Sequence, residues 1–137
     1  MNFDLASLDT LTRAQMGVAM PVLHVRDRTP LMLSDNTPFT ITLCGRSSDV
    51  FRTITRQVEA AQADRAARGA IATPDEMERD NVEVLTACTR GWTPFLWDGE
   101  VVEYSIENAR RLWSDRRFQW LREQATRFVR DDANFLG

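Results

Sequence analysis

In the first third of the chain, hydrophobic residues come in short runs that polar turns separate. The runs cover residues 18–25, 31–33 and 39–44, and their β-branched and alternating residues favour strands. Pro21 falls inside the first run, which indicates an edge strand or an irregular one. We therefore expect a small N-terminal antiparallel β-meander of about three strands within residues 1–45. A sheet of this size is stable when a helix packs on it.

The period of the pattern changes within residues 41–52. Gly45 follows the third strand and permits a positive φ. Ser47 or Ser48 can then accept a hydrogen bond from the free N–H groups of a helix start, and Asp49 suits the positive end of the helix dipole. This stretch predicts the junction between the β-rich part and a helical remainder.

Beyond the junction, apolar residues recur at helical spacing in four segments. A capping box at Thr73–Glu76, with proline at the first helical position, is the sharpest helix start in the chain. Met77 and Leu85 lie on the stripe that this helix is expected to bury. The four helices are expected at about 48–69, 73–90, 105–114 and 115–130. Together with the meander they predict a mainly helical α+β fold.

An irregular segment rich in aromatic residues, 91–104, interrupts the helices. Asp98-Gly99 in its middle favours a tight hairpin turn. The rings can belong to the core, since small domains bury their large side chains. They can also form a partner-binding surface, because tryptophan is frequent at interface hot spots. The second interpretation makes Trp92, Phe95 and Trp97 candidate contact residues.

The length of 137 residues indicates one domain, 1–137, with a β-rich part (1–45) and a helical part (46–137) that contains the aromatic loop 91–104. Apolar residues make up 43% of the chain, enough for a core. The sequence has no apolar run of about 20 residues, as a membrane span needs. The first residues lack the basic start of a secretion signal. We expect a soluble, cytoplasmic protein.

The residues that carry chemistry are few. Cys44 and Cys88 give neither a disulfide framework nor a metal quartet and are expected to be buried. His24 has no partner at a ligand or catalytic spacing. The run Gly45–Ser48 lacks the glycines and the lysine of a phosphate loop. The sequence gives no positive case for an enzyme, a cofactor or a metal.

The charges are unevenly distributed around a net charge of −3. Acids dominate residues 74–104, whereas arginines, which are the only basic residues of the chain, slightly exceed acids from residue 105 onward. This asymmetry is explained by internal pairing, by contact between copies, or by solvated faces. Arginines mixed with aromatic rings in the last third, Arg116 and Arg117 among them, can hold nucleic acid. Carboxylates lie among them, so nucleic-acid binding is the weakest interpretation.

The order of these pieces resembles that of the tail assembly chaperones of long-tailed (siphovirus-type) bacteriophages and prophages. The strand 41–43 that runs into residues 45–52 is similar to a family pattern of glycine, acid-serine, aromatic and arginine. Here Arg46 takes the place of the acid, and Asp49 follows. The other matching pieces are Leu23-His24 with Thr29-Pro30-Leu31, the segments 85–92 and 104–112, and Asn134-Phe135-Leu136 at the end.

The resemblance implies a non-enzymatic function in virion assembly. Such chaperones coat the tape-measure protein, help to recruit major tail (tube) protein subunits, and leave before the virion is complete. Contacts would be weak and repeated, with avidity giving the strength. The aromatic loop, the arginines 116 and 117 and the end Phe135-Leu136 are the expected contacts. The alternatives are a permanent structural subunit of the tail or neck, and then a nucleic-acid-binding regulator. Self-association is a further expectation from the charge asymmetry.

Overall fold

The computed structural model of the protein, which describes residues 2–137, has five α-helices, a three-stranded sheet and a separate hairpin. This confirms the mainly helical α+β prediction. Among the described residues, no helix combines the length and hydrophobicity needed to span a bilayer. The elements are α1 (Leu11–Met16), β1 (Val18–Pro21), β2 (Thr40–Leu43), α2 (Asp49–Ala67), α3 (Pro74–Cys88), β3 (Thr89–Trp92), β4 (Phe95–Trp97), β5 (Glu100–Val102), α4 (Ile106–Ser114) and α5 (Gln119–Arg130).

The three-stranded sheet is antiparallel in the order β1-β2-β3. Val18 lies opposite Leu43 in the first pair, and Ile41 lies opposite Trp92 in the second. The β2–β3 register shifts at Leu43, where the strand leaves the sheet for the junction. The first strand ends at Pro21, four residues earlier than predicted, because proline cannot donate to a ladder.

The predicted middle strand, residues 31–33, is absent from the described structure as a strand. Only two isolated bridges form there, Leu23 to Pro30 and Met32 to Pro38, and both involve a proline that lacks an N–H. The third strand is instead Thr89–Trp92, which the sequence assigned to a helix end and to the aromatic loop. Helix α3 accordingly stops at Cys88, whose carbonyl accepts the Cys44 N–H at 2.9 Å.

Side-chain caps begin the three helices that the sequence located most sharply. The hydroxyls of Ser48, Thr73 and Ser105 each accept a backbone N–H three residues later, at 3.2, 3.2 and 3.0 Å. The buried stripe of α3 differs from the prediction at one end. Met77 is 59% exposed, and Val82 is buried instead. The first turn of α3 therefore lies beyond the reach of the core.

Thr89 joins three parts of the core at the end of α3. Its hydroxyl donates to the Leu85 carbonyl at 2.6 Å and accepts from Trp113 Nε1 at 3.0 Å, and its carbonyl accepts the Tyr104 hydroxyl at 2.9 Å. These bonds tie the sheet to α4 and to the exit of the hairpin. The indole of Trp113, 1% exposed, is consequently fixed at the centre of the helical layer.

Two polar side chains of α5 are buried and satisfied. Arg122 donates to the Trp113 carbonyl at 3.0 Å and to Glu78 at 2.5 Å, as a buried charge requires. The Gln124 amide accepts the Leu23 N–H at 3.1 Å and donates to the Leu23 carbonyl at 2.8 Å. The Gln124 amide thus bonds both backbone polar groups of Leu23, as a neighbouring strand would do in a sheet. Helix α5 is thus held to α3, α4 and the N-terminal segment.

Candidate functional site

An apolar groove of about 440 Å³ lies where three separate segments of the chain meet. Residues 31–33 with Phe39 form one wall, the β4–β5 hairpin forms the second, and the junction between α4 and α5 forms the third. Met32 lines the groove while half of its surface stays exposed. The volume lies in the range of small-ligand pockets, and the lining suits hydrophobic side chains of a partner.

The hairpin that forms one wall folds around the predicted turn. Asp98 and Gly99 both have positive φ, 52° and 82°, as a type I′ turn requires. Phe95 pairs with Val102 and Trp97 with Glu100 across the two strands. Because side chains alternate along a strand, Phe95 and Trp97 share one face of the hairpin. Both are partly buried, and both line the groove.

Trp97 is the side chain around which the groove is built. Its ring meets Phe118 edge-on, with 5.4 Å between centroids. The guanidinium of Arg111 lies 4.8 Å from the ring centroid and that of Arg117 lies 5.9 Å away, within cation–π range. A partly exposed tryptophan flanked by two arginines has the composition of an interface hot spot.

The charges beside Trp97 are only partly neutralised. Arg117 pairs with Asp115 at 2.8 Å, and this bond lowers the pKa of the Asp115 carboxyl and raises the pKa of Arg117. Arg111 donates to the amide oxygen of Asn108 at 3.1 Å and has no carboxylate within ion-pair distance in residues 2–137. Arg111 also contributes to the lowered pKa of Asp115, so its charge is partly balanced within the chain and partly available to an acidic group of a bound partner.

Three of the predicted contact residues line the groove, and two others are buried in the core. Phe95, Trp97 and Arg117 line the groove. Trp92 is 9% exposed, and its indole N–H donates to the Val102 carbonyl at 3.2 Å. Phe135 is 1% exposed and stacks edge-on against Phe128. Trp92 and Phe135 are thus core residues that offer a partner no surface, which corrects the expectation for both.

The two remaining candidates lie elsewhere. Leu136 is 40% exposed but does not line the groove. Arg116 lines a separate, polar groove between α3 and α5, together with Glu78 and Arg122. The predicted contact residues consequently do not form one surface.

Sequence reasoning missed the parts of the groove that come from distant segments. Met32 falls in the run 31–33 that predicts a strand, and Phe118 and Trp120 belong to the aromatic rings of the last third, which the sequence does not connect with the loop 91–104. All three line the groove.

Three of the seven arginines from residue 105 onward form internal ion pairs among the described residues. Arg110 pairs with Glu83 at 3.2 Å, Arg117 with Asp115, and buried Arg122 with Glu78. Two of these pairs join α3 to α4 and α5, so internal pairing accounts for part of the charge asymmetry. This leaves a smaller basic surface for nucleic acid than the sequence suggests.

The histidine of the chain stabilises a turn, and its two cysteines are buried in the core. His24 Nδ1 accepts the Arg26 N–H at 3.0 Å and so stabilises its own turn. Cys44 and Cys88 are fully buried, and burial raises the pKa of the Cys88 thiol to about 12. Within residues 2–137, no three His, Cys, Asp or Glu side chains cluster in a way that could hold a metal ion.

Comparison with known proteins found no matching family, no similar curated protein and no similar solved structure.

Proposed function

We propose that the chain is a non-enzymatic tail assembly chaperone of a long-tailed phage or prophage. It binds the tape-measure protein in the host cytoplasm, helps to recruit major tail-tube subunits and is absent from the mature virion. The observation that carries the proposal is the groove at Trp97, which suits hydrophobic side chains of another protein. The order of the sequence elements, which resembles that of the family, supports the same function.

A helical segment of the tape-measure protein is the partner that the groove fits best. Amphipathic helices bind apolar grooves through side chains spaced three and four residues apart. Met32, Trp97 and Trp120 line the groove for such anchors. Arg111 would pair with an acidic residue beside them. One groove of this size gives a weak contact, and repetition along a long partner gives the strength.

Replacing Trp97 with alanine tests the proposed contact. Co-expression with the tape-measure protein of the same phage genome should recover at least about tenfold less partner than the unchanged chain does. Ile71→Ala is the matched control, because Ile71 is 89% exposed and does not line the groove. Circular dichroism verifies that both variants fold. Unchanged recovery with folded Trp97→Ala would remove the groove from the proposal.

Mature particles distinguish the chaperone from a permanent tail or neck subunit. Mass spectrometry of purified virions should find the tube and tape-measure proteins but not this chain. A fixed copy number of this chain in every particle would instead establish a structural subunit.

A further inference from the structure

The N-terminal arm, residues 3–11, is apolar and uncovered. Phe3, Leu5, Leu8 and Leu11 are each between 49% and 73% exposed. Leu5–Leu8 forms a 3₁₀ turn in which no residue is buried. Side chains three residues apart eclipse in a 3₁₀ helix, so Leu5 and Leu8 point to the same side. Four large hydrophobic side chains in so short an exposed segment indicate an interaction surface.

Local hydrogen bonds favour the turns of the arm in the single chain. Asp4 accepts the Ala6 N–H at 3.0 Å and caps the 3₁₀ turn. Asp9 accepts the Leu11 N–H at 2.7 Å and the Thr12 hydroxyl at 2.6 Å, and these bonds lower the pKa of its carboxyl. An arm that is already ordered loses little conformational entropy on binding.

The chain carries a surface that complements this arm. The groove at Trp97 is apolar, and Met32, which lines it, is 50% exposed. The arm therefore does not fill the groove of its own chain, since the leucines of the arm stay exposed as well. The arm has two acids, Asp4 and Asp9, and no arginine before Arg13. Arg111 borders the groove, with its guanidinium 4.8 Å from the Trp97 ring centroid, and can pair with an arm carboxylate that approaches on the side away from Asp98.

We propose that the N-terminal arm of one copy occupies the groove at Trp97 of a second copy. Leu5 and Leu8 enter the groove between Met32 and Trp97, and an arm carboxylate approaches Arg111. Because arm and groove are different surfaces, each copy keeps one free arm or one free groove after the first contact. Such a head-to-tail contact continues from copy to copy unless the rotation closes a ring.

Cysteine cross-linking tests this contact in the full-length chain. The native thiols of Cys44 and Cys88 are fully buried and do not compete. We expect an equal mixture of Leu8→Cys and Met32→Cys to form a disulfide-linked dimer on mild oxidation. A chain that carries both substitutions should form a ladder of oligomers. A mixture of Leu8→Cys and Ile71→Cys is the control, because Ile71 is more exposed than Met32, at 89% against 50%, but does not line the groove.

Two results of the cross-linking would overturn the proposal. One is a dimer yield no higher than that of the control mixture. The other is an internal disulfide in a monomer of the doubly substituted chain, which would place the arm in its own groove. Co-purification of the tape-measure protein with the unchanged chain is measured separately, so failure of the arm contact and failure of the proposed function are distinguishable.

Sedimentation equilibrium gives an independent measurement without oxidation. The unchanged chain should associate reversibly, and Leu5→Ser with Leu8→Ser should raise the dissociation constant by at least about tenfold, as the loss of two buried leucines predicts. Both leucines are exposed in the single chain, so the fold tolerates the change. A monomer at every concentration, or association that survives the double substitution, contradicts the arm contact.

Discussion

Alanine substitution should separate Trp92 and Trp97, two tryptophans five residues apart in the same aromatic segment. Trp92 is 9% exposed, packs edge-on against Tyr104 at 5.3 Å and bonds the Val102 carbonyl. Deleting a buried aromatic side chain costs about 3–5 kcal/mol, and the lost hydrogen bond adds about 1 kcal/mol. We therefore expect Trp92→Ala to lose about 4–6 kcal/mol, a large share of the roughly 5–15 kcal/mol that stabilises a domain.

Trp97→Ala should cost less, about 2–3 kcal/mol, because the ring is only partly buried and lines an open groove, so its removal leaves no closed cavity. Urea unfolding followed by far-ultraviolet circular dichroism measures both losses. The urea midpoint should fall for both variants and about twice as far for Trp92→Ala as for Trp97→Ala, with similar slopes. Equal losses would refute the division into a core and a groove tryptophan. If only Trp97→Ala lost much of its free energy of unfolding, reduced recovery of the tape-measure protein would have to be attributed to misfolding of the variant.

Two further predictions concern the contact between the chain ends. Gly45→Ala should cost about 1–3 kcal/mol in the same urea assay. A Cβ at this position would lie 2.9 Å from the Ala14 Cβ and 3.0 Å from the Phe135 ring, which is too close without a shift of either. An unchanged midpoint would contradict this close packing. Asp132, whose pKa is lowered by its hydrogen bond to Arg46, stabilises the fold above its unfolded pKa of about 4 and loses this effect as the pH falls. The melting temperatures of the unchanged chain and of Asp132→Asn should accordingly differ at pH 7 and converge as the pH falls below the lowered pKa of Asp132. A difference that stays constant with pH would exclude the ion pair as the cause.

The parts of the fold that local chemistry determines could be read from the sequence. Ser48, Thr73 and Ser105 cap their helices through bonds that span only three residues, so the neighbouring residues define each start. The Asp98-Gly99 turn is equally local, since both residues tolerate a positive φ. These four features located most of the helices and the hairpin.

The parts that depend on distant pairing could not be read in this way. Residues 89–92 become a strand because β2, nearly fifty residues earlier, supplies the ladder. Residues 31–33 have a strand composition but lie between prolines that limit pairing. The groove assembles from three segments, and periodicity within each segment only shows that a residue is apolar. Met77 shows the same limit, since a helical stripe does not tell where the core ends.

Tape-measure binding and the arm contact between copies are both proposed for the groove at Trp97. This shared site limits the affinity that the arm contact can have. A groove of about 440 Å³ does not hold the arm of another copy and a tape-measure helix at the same time. The arm therefore acts as a competitor, and the apparent dissociation constant for the helix rises with the fraction of grooves that arms occupy. A weak arm contact covers an aggregation-prone surface before the partner arrives and is then displaced. The small area of the arm and its lack of buried residues are consistent with a contact of that strength.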